Sequence, residues 1–289
     1  MSAPALAPAR DWLKLMREET RRRSGKAPGA LGGIAVGPGE FRLEDDEFLL
    51  RAANGIALHY RKGHGVTVDA PEGTDPRDIE LYARGSLHAA IAALNGLLPL
   101  HASAVAHRGK VFAFTGQSGA GKSTLAAALV QRGFALFCDD TLLLDPNSDG
   151  PICLPGHKRL KLWPEGLVLA EAESQEEVAP SYPKRFASLS GSEAQEPLPL
   201  AALVYLEDGS ETALEPLAGA ERFARLSDDH YTALLHEWAN AMEREERFAF
   251  QAQLARAIPA WRLTRPFEPA RFGDMVEAVA DWIVEQPNE

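Results

Sequence analysis

Val111-Phe-Ala-Phe-Thr115 runs directly into Gly116-Gln-Ser-Gly-Ala-Gly-Lys-Ser123, and that into Thr124-Leu-Ala-Ala-Ala-Leu-Val-Gln131; this stretch decides how the chain is read. The first piece is short and almost wholly apolar, which suits a strand buried on both faces. The last is rich in Ala and Leu, strong helix formers, and Gly133 stops it. Between them, Gly116 to Ser123 satisfies G-x-x-x-x-G-K-[ST] at every position. Chance supplies that pattern in roughly 1% of chains of this length, and its place between a strand and a helix makes a coincidence rarer still.

The residue types follow from what a polyphosphate needs. Glycines let successive backbone N–H groups turn inward onto phosphate oxygens, and the helix beyond adds its positive end. The pattern therefore predicts ATP held with Mg2+: Gly116, Gln117, Ser118, Gly119, Ala120, Gly121 and Thr124 form the cradle, Lys122 bridges the β- and γ-phosphates, and the Ser123 hydroxyl ligates the metal.

Working outward, Ala135-Leu-Phe-Cys138 reads as a second buried strand and ends in Asp139-Asp140. Strand, helix, strand at this spacing is a βαβ unit. An acid at such a strand end is where P-loop proteins hold magnesium. A doublet can divide two tasks, one carboxylate on the metal and one accepting the proton of an attacking hydroxyl. The bland alternative is a strand-end turn in which one of them caps the next segment.

The flanks complete an α/β reading. Gly32 to Ala70 alternates apolar and polar residues with Gly and Asn-Gly punctuation, and Asp75 to Asn95 carries apolar residues at helical spacing. We therefore expect an N-terminal β-rich region with a linking helix over 1–97 and a P-loop domain over 98–289. Residues 145–199 read as loops with one ordered patch at 160–168. Leu200 to Leu206 predicts a core strand, 228–257 one or two helices, Ala260 to Thr264 a strand and Phe272 to Val284 a closing helix.

Composition excludes several classes. The 289 residues carry a net charge of -11, so nucleic acid is not expected as a partner. The two cysteines, Cys138 and Cys153, lack paired spacing, which argues against a zinc site or disulfide framework and fits a reducing cytoplasm. Met1 to Arg23 has no continuous apolar stretch of the kind a signal peptide or membrane span needs. A membrane-surface helix ending in Arg21-Arg22-Arg23 is weakened by Glu18 and Glu19. A homo-oligomer is left open.

Transfer chemistry needs further positive charge around the γ-phosphate. Lys158, Arg159 and Lys161 form a basic cluster and Arg265 closes a strand, though solvated surface charge is the commoner fate of such residues. Trp163 and Trp261 read as core anchors. His59, His64, His107, His157, His230 and His236 show no metal-ligand spacing.

Leu100-His101, the P-loop with its helix, and Arg132-Gly-Phe-Ala-Leu-Phe-Cys-Asp-Asp140 together resemble the HPr serine kinase/phosphorylase family, including the kinases found with lasso-peptide biosynthesis. The resemblance covers about residues 98–145, with looser likeness at Pro155 to Pro164, Pro199 to Leu206 and Trp261 to Pro266. It implies a P-loop HPr-kinase-like C-terminal domain with a mixed central sheet, a catalytic role for His101 beside the phosphates, Asp139 as the base, and Asp140 as the metal-side acid. The acceptor it implies is a serine of a peptide or protein. The glycine-containing segment tied to phosphorylase activity has no counterpart between 145 and 200. Reverse activity and HPr itself as acceptor are therefore not expected, and a lasso-type precursor peptide is one candidate. The competing readings are a nucleotide-responsive binding module without phosphotransfer and a small-molecule kinase.

Overall fold

The computed structural model describes residues 11–287 apart from 147, 149 and 227–230. The residues expected at the start of a helix from 228, with His230, lie outside the described residues, as does the chain before Asp11. At the centre is a mixed sheet in which the P-loop strand Lys110–Thr115 lies between Ala102–His107, antiparallel to it, and Leu198–Asp208, parallel to it. The doublet strand Ala135–Cys138 pairs antiparallel with Ala102–His107. The expected βαβ unit thus has an antiparallel strand inserted between its two strands. Ala260–Arg265 pairs parallel with Leu198–Asp208, and Leu142–Asp145, Ile152–Leu154 and Leu98–Leu100 extend the sheet in antiparallel fashion.

The sheet is covered on both faces, which is why its strands read as continuous apolar runs. Phe112 and Phe114 point to one face, where they pack on the helix Lys122–Gln131 through Leu125 and Leu129 and on the closing helix Phe272–Glu285 through Met275, Val276, Val279 and Ile283. That spacing sets one helical stripe against the sheet. Val111 and Ala113 point the other way, into a core shared with Phe137, Leu203, Tyr205 and with Leu254 of the helix Arg244–Ala257.

Ahead of this, Glu40–Glu44, Glu47–Arg51, Ala57–Arg61 and Gly65–Asp69 form an antiparallel meander joined on its outer side by Arg22–Ser24. Its apolar face meets the helix His88–Leu94, which is buried from Ala89 to Leu94. The helix Trp12–Glu19 seats Trp12 and Met16 in the same core, so its apolar side is spent inside the protein. Leu143, Leu154 and Leu235 also enter this core, which therefore draws on residues from both sides of position 97.

Residues 145–199 hold more order than expected. Lys161–Leu162, Tyr182–Ser188 and Glu173–Ala179 make a three-stranded antiparallel sheet, and Pro164–Leu169 is helical. The first five residues of Glu173–Ala179 are exposed, so the alternation that marks a half-buried strand is missing from its sequence.

Candidate active site

Strand direction gathers the site. Lys110–Thr115, Ala135–Cys138, Leu198–Asp208 and Ala260–Arg265 all end at one margin of the sheet, the margin where open α/β sheets bind ligands. Ala102–His107 begins there, because it runs the other way. P-loop, acid doublet, His101 and Ser103 are therefore brought together from the ends of three neighbouring strands.

The loop requires glycine at two points. Gly116 has φ 144°, and a Cβ there would lie 3.1 Å from the Leu206 carbonyl oxygen of the next strand. Gly121 caps the helix Lys122–Gln131 in the left-handed region, at φ 87°, which glycine adopts without steric penalty. Lys122 is only 6% exposed, and its Nζ donates to the carbonyls of Gly116 and Gln117 at 2.8 and 3.0 Å. Burial first and the Lys184 charge second push its pKa down to about 8, against the pull of Asp140 and Asp139.

The two carboxylates occupy different settings. Asp139, 3% exposed, accepts hydrogen bonds from Ser123 Oγ and Ser103 Oγ on Oδ1, both at 2.8 Å, and from the Lys161 backbone N–H on Oδ2 at 2.9 Å. Asp140 sits at φ 74°, a left-handed position uncommon for a residue with a side chain. Its Oδ2 accepts from Lys161 Nζ at 2.5 Å and its Oδ1 lies 3.4 Å from His101 Nδ1. Burial raises the Asp140 carboxyl, but the charge and hydrogen bond of Lys161, with His101 and Lys184, outweigh it and hold the group below the usual carboxylate range.

His101 Nδ1 is 3.0 Å from the Asp140 carbonyl oxygen. Burial and then the Lys122 charge lower its pKa against the pull of Asp140 and Asp139. A carbonyl only accepts, so Nδ1 carries the hydrogen and the ring braces the backbone of Asp140.

Of the basic residues named from the sequence, Lys161 is in the site and the others have different partners. Lys158 donates to the Phe137 carbonyl. Arg159 pairs with Glu176 and lies 3.5 Å over the Phe186 ring, away from the P-loop. Arg265 is buried, donates to the Ala120 carbonyl and, at 2.8 Å, to Asp208, its register partner on the next strand, and borders a slot beside the loop.

The cavity beside the glycine-rich loop is also lined by Ser103, Tyr182 and Lys184. Sequence reasoning missed all three. Tyr182 and Lys184 belong to the hairpin read as loop, and Ser103 stands in an apolar run where only its pairing with the doublet strand gives it meaning. Trp163, expected in the core, is 45% exposed. It lines a slot of about 250 Å³ beside Thr124, Pro266, Phe267 and Phe272.

Ser123, Ser103 and Asp139 present hard oxygens within 2.8–3.3 Å of one another. Among the described residues no group of three or more His, Cys, Asp or Glu could hold a metal by itself. The hydroxyl of Ser123 and the carboxylate of Asp139 are the donor type that fits magnesium, which takes one or two protein oxygens and completes its shell with phosphate and water. No helix among the described residues is long and apolar enough to cross a membrane.

No family model matches the chain, and no curated protein matches it. Among solved structures it is similar to the Hpr(Ser) kinase/phosphatase from Coxiella burnetii, at 13% identity over 64% of this chain and 98% of that one, with a TM-score of 0.31. A superposition that loose carries no argument, so the functional reading rests on this chain's own geometry.

Proposed function

We propose that the protein binds ATP with Mg2+ and transfers the γ-phosphate to a hydroxyl, the serine of a peptide or protein. The observation that carries the reading is the 2.8 Å hydrogen bond from Ser123 to Asp139 inside a complete P-loop, beside a second carboxylate in a different setting. Ser123 and Asp139 would hold the metal, which when bound draws charge off the β- and γ-phosphate oxygens. Lys122 leaves its loop carbonyls for the phosphates, and Lys161 and Lys184 bring further positive charge to the same cavity. Trp163 and Phe267 offer the base two aromatic faces in the adjoining slot.

In this reading the doublet divides its tasks in the opposite way to the one the resemblance implies. Asp139 already accepts three hydrogen bonds and has almost no exposure, so it suits a fixed oxygen set around the metal. Both carboxylates border the two cavities, but the Asp140 side chain is 30% exposed and braced by His101 and Lys161, so it is the carboxylate an incoming hydroxyl meets. Its lowered pKa is tolerable, because phosphoryl transfer through a loose transition state asks the base for position more than for strength.

The test is a pair of variants. Asp140→Asn should bind Mg-ATP as the parent does and lose at least a hundredfold in transfer, read as a mass gain of about 80 Da on the acceptor. Asp139→Asn should lose at least tenfold in magnesium-dependent ATP affinity by calorimetry. Retained magnesium-dependent affinity in Asp139→Asn with transfer abolished would restore the reverse division. Absence of any magnesium-dependent nucleotide binding by the parent would remove the kinase reading altogether.

A further inference from the structure

Asp139 and Asp140 line two cavities that meet at them. One is the phosphate cavity. The other, of about 100 Å³, shares Asp139, Asp140 and Lys161 with the first and is closed by residues from elsewhere in the fold. Arg77, Leu81 and Arg84 come from the linking helix, and Val178 and Phe186 from the three-stranded sheet. The doublet is the meeting point of both spaces.

The linking helix is broken where it crosses this cavity. Pro76–Tyr82 and His88–Leu94 are separated by a kink within Ala83–Leu87. Within it Gly85 leaves helical geometry, at φ -97° and ψ -109°. A Cβ added there would have a single near neighbour, Asp140 Oδ2 at 3.9 Å. The glycine opens the helix onto the carboxylate, and a longer side chain would cover it.

The lining argues against a second polyphosphate. Arg84 pairs with Glu80 at 2.5 Å, Lys161 with Asp140 at 2.5 Å, and Arg159 with Glu176. Burial, with Arg84 next, depresses His157 to about 4, so its ring adds no charge. Charges are balanced, and apolar walls alternate with them. The space admits one side chain. Glu176 and Val178 of its wall lie on Glu173–Ala179, which among the described residues pairs as a strand with Tyr182–Ser188 alone, lies against the linking helix Pro76–Tyr82 and is exposed over its first five residues. An extended segment can add to such a strand edge while one of its side chains turns inward.

We propose that this second cavity is the acceptor site, taking the hydroxyl-bearing side chain of an extended peptide laid along Glu173–Ala179 and presenting it to Asp140 under Gly85. The inference rests on the phosphotransferase reading. It makes the linking helix part of the reaction centre, and it makes the acceptor a flexible peptide segment in preference to a folded protein face.

The probe is a randomised peptide library with one fixed central serine, incubated with γ-labelled ATP and magnesium, with free L-serine as a separate arm. Gly85→Leu covers Asp140 from the roof, and Phe186→Trp fills the space from the opposite wall. Both variants should bind Mg-ATP within twofold of the parent and lose at least tenfold in labelling of the library. Because Gly85→Leu is at risk of misfolding, each variant is first checked by thermal melting, and Phe186→Trp carries the test alone if the other fails. Full labelling by a folded Phe186→Trp protein overturns the proposal, as does a parent that binds Mg-ATP but labels only free serine or nothing. A parent without Mg-ATP affinity overturns the underlying kinase reading instead.

Discussion

Raising the pH from 7 to 9 should weaken nucleotide binding about tenfold through one side chain. Lys122 is buried among the loop carbonyls with Lys184 nearby, and the free protein holds it at about 8. Only the charged ammonium binds phosphate. At pH 7, one unit below that value, about nine-tenths of the protein is competent, and at pH 9 about one-tenth is, a ratio near ten or about 1.4 kcal/mol. The sign follows from the group: it is charged below its pKa, so affinity is flat from about pH 6.5 to 7.5 and falls above 8. Phosphate's own ionisation near pH 6 lies below this window. Calorimetric titration of Mg-ATP across pH 6.5 to 9.5 reads the effect directly. Lys184→Met removes a like charge and should move the break upward, and Lys122→Met should bind weakly with no break. A flat profile in the parent, or the same break in Lys122→Met, would refute the assignment of phosphate binding to this lysine.

Two further substitutions separate the nucleotide's parts from the scaffold. Arg265→Ala removes the donor to the Ala120 carbonyl; Asp208 is largely solvent-screened, so we expect a loss of about 1–2 kcal/mol, a melting temperature lower by several degrees, and weaker ATP binding as the loop slackens. Trp163→Ala should reduce ATP affinity by about 5- to 100-fold, the range for one base stacked on one aromatic ring, while inorganic triphosphate binds as before; equal loss for both ligands would place the base elsewhere.

What the sequence revealed and what it hid have physical causes. A strand buried on both faces, a glycine turn and an alanine-rich helix each leave a local mark, so Lys110–Thr115 and Lys122–Gln131 could be placed from residues alone. The doublet was visible for the same reason. The hairpin of Glu173–Ala179 and Tyr182–Ser188 was not, because its stability comes from pairing and from the few side chains it buries, while Glu173 to Glu177 stay exposed. With it went Tyr182 and Lys184. Ser103 was hidden differently: a lone hydroxyl in an apolar run says nothing until the register sets Phe114 opposite it and Cys138 opposite its neighbour Ala104. Trp163 was misread because a large aromatic beside apolar residues is usually core, whereas this one stands where the helix Pro164–Leu169 begins and faces a slot.

The inserted strand also explains how a doublet one strand removed from the P-loop strand can touch the P-loop at all. Neighbouring strands lie about 4.8 Å apart, so the ends of Lys110–Thr115 and Ala135–Cys138 are separated by roughly twice that. A carboxylate reaching across that gap alone would leave the space between unfilled. Ala102–His107 fills it while running antiparallel, so it brings its beginning to the site, and Ser103 stands between the two ends, bonded to Asp139 at 2.8 Å and 3.3 Å from Ser123. The preceding His101 braces Asp140, and its carbonyl accepts from Thr115 at 3.0 Å, tying the last residue of the P-loop strand to the same segment. One short piece, His101 to Ser103, thereby fixes the distance between the glycine-rich loop and both carboxylates, and a change of register there would alter that spacing directly.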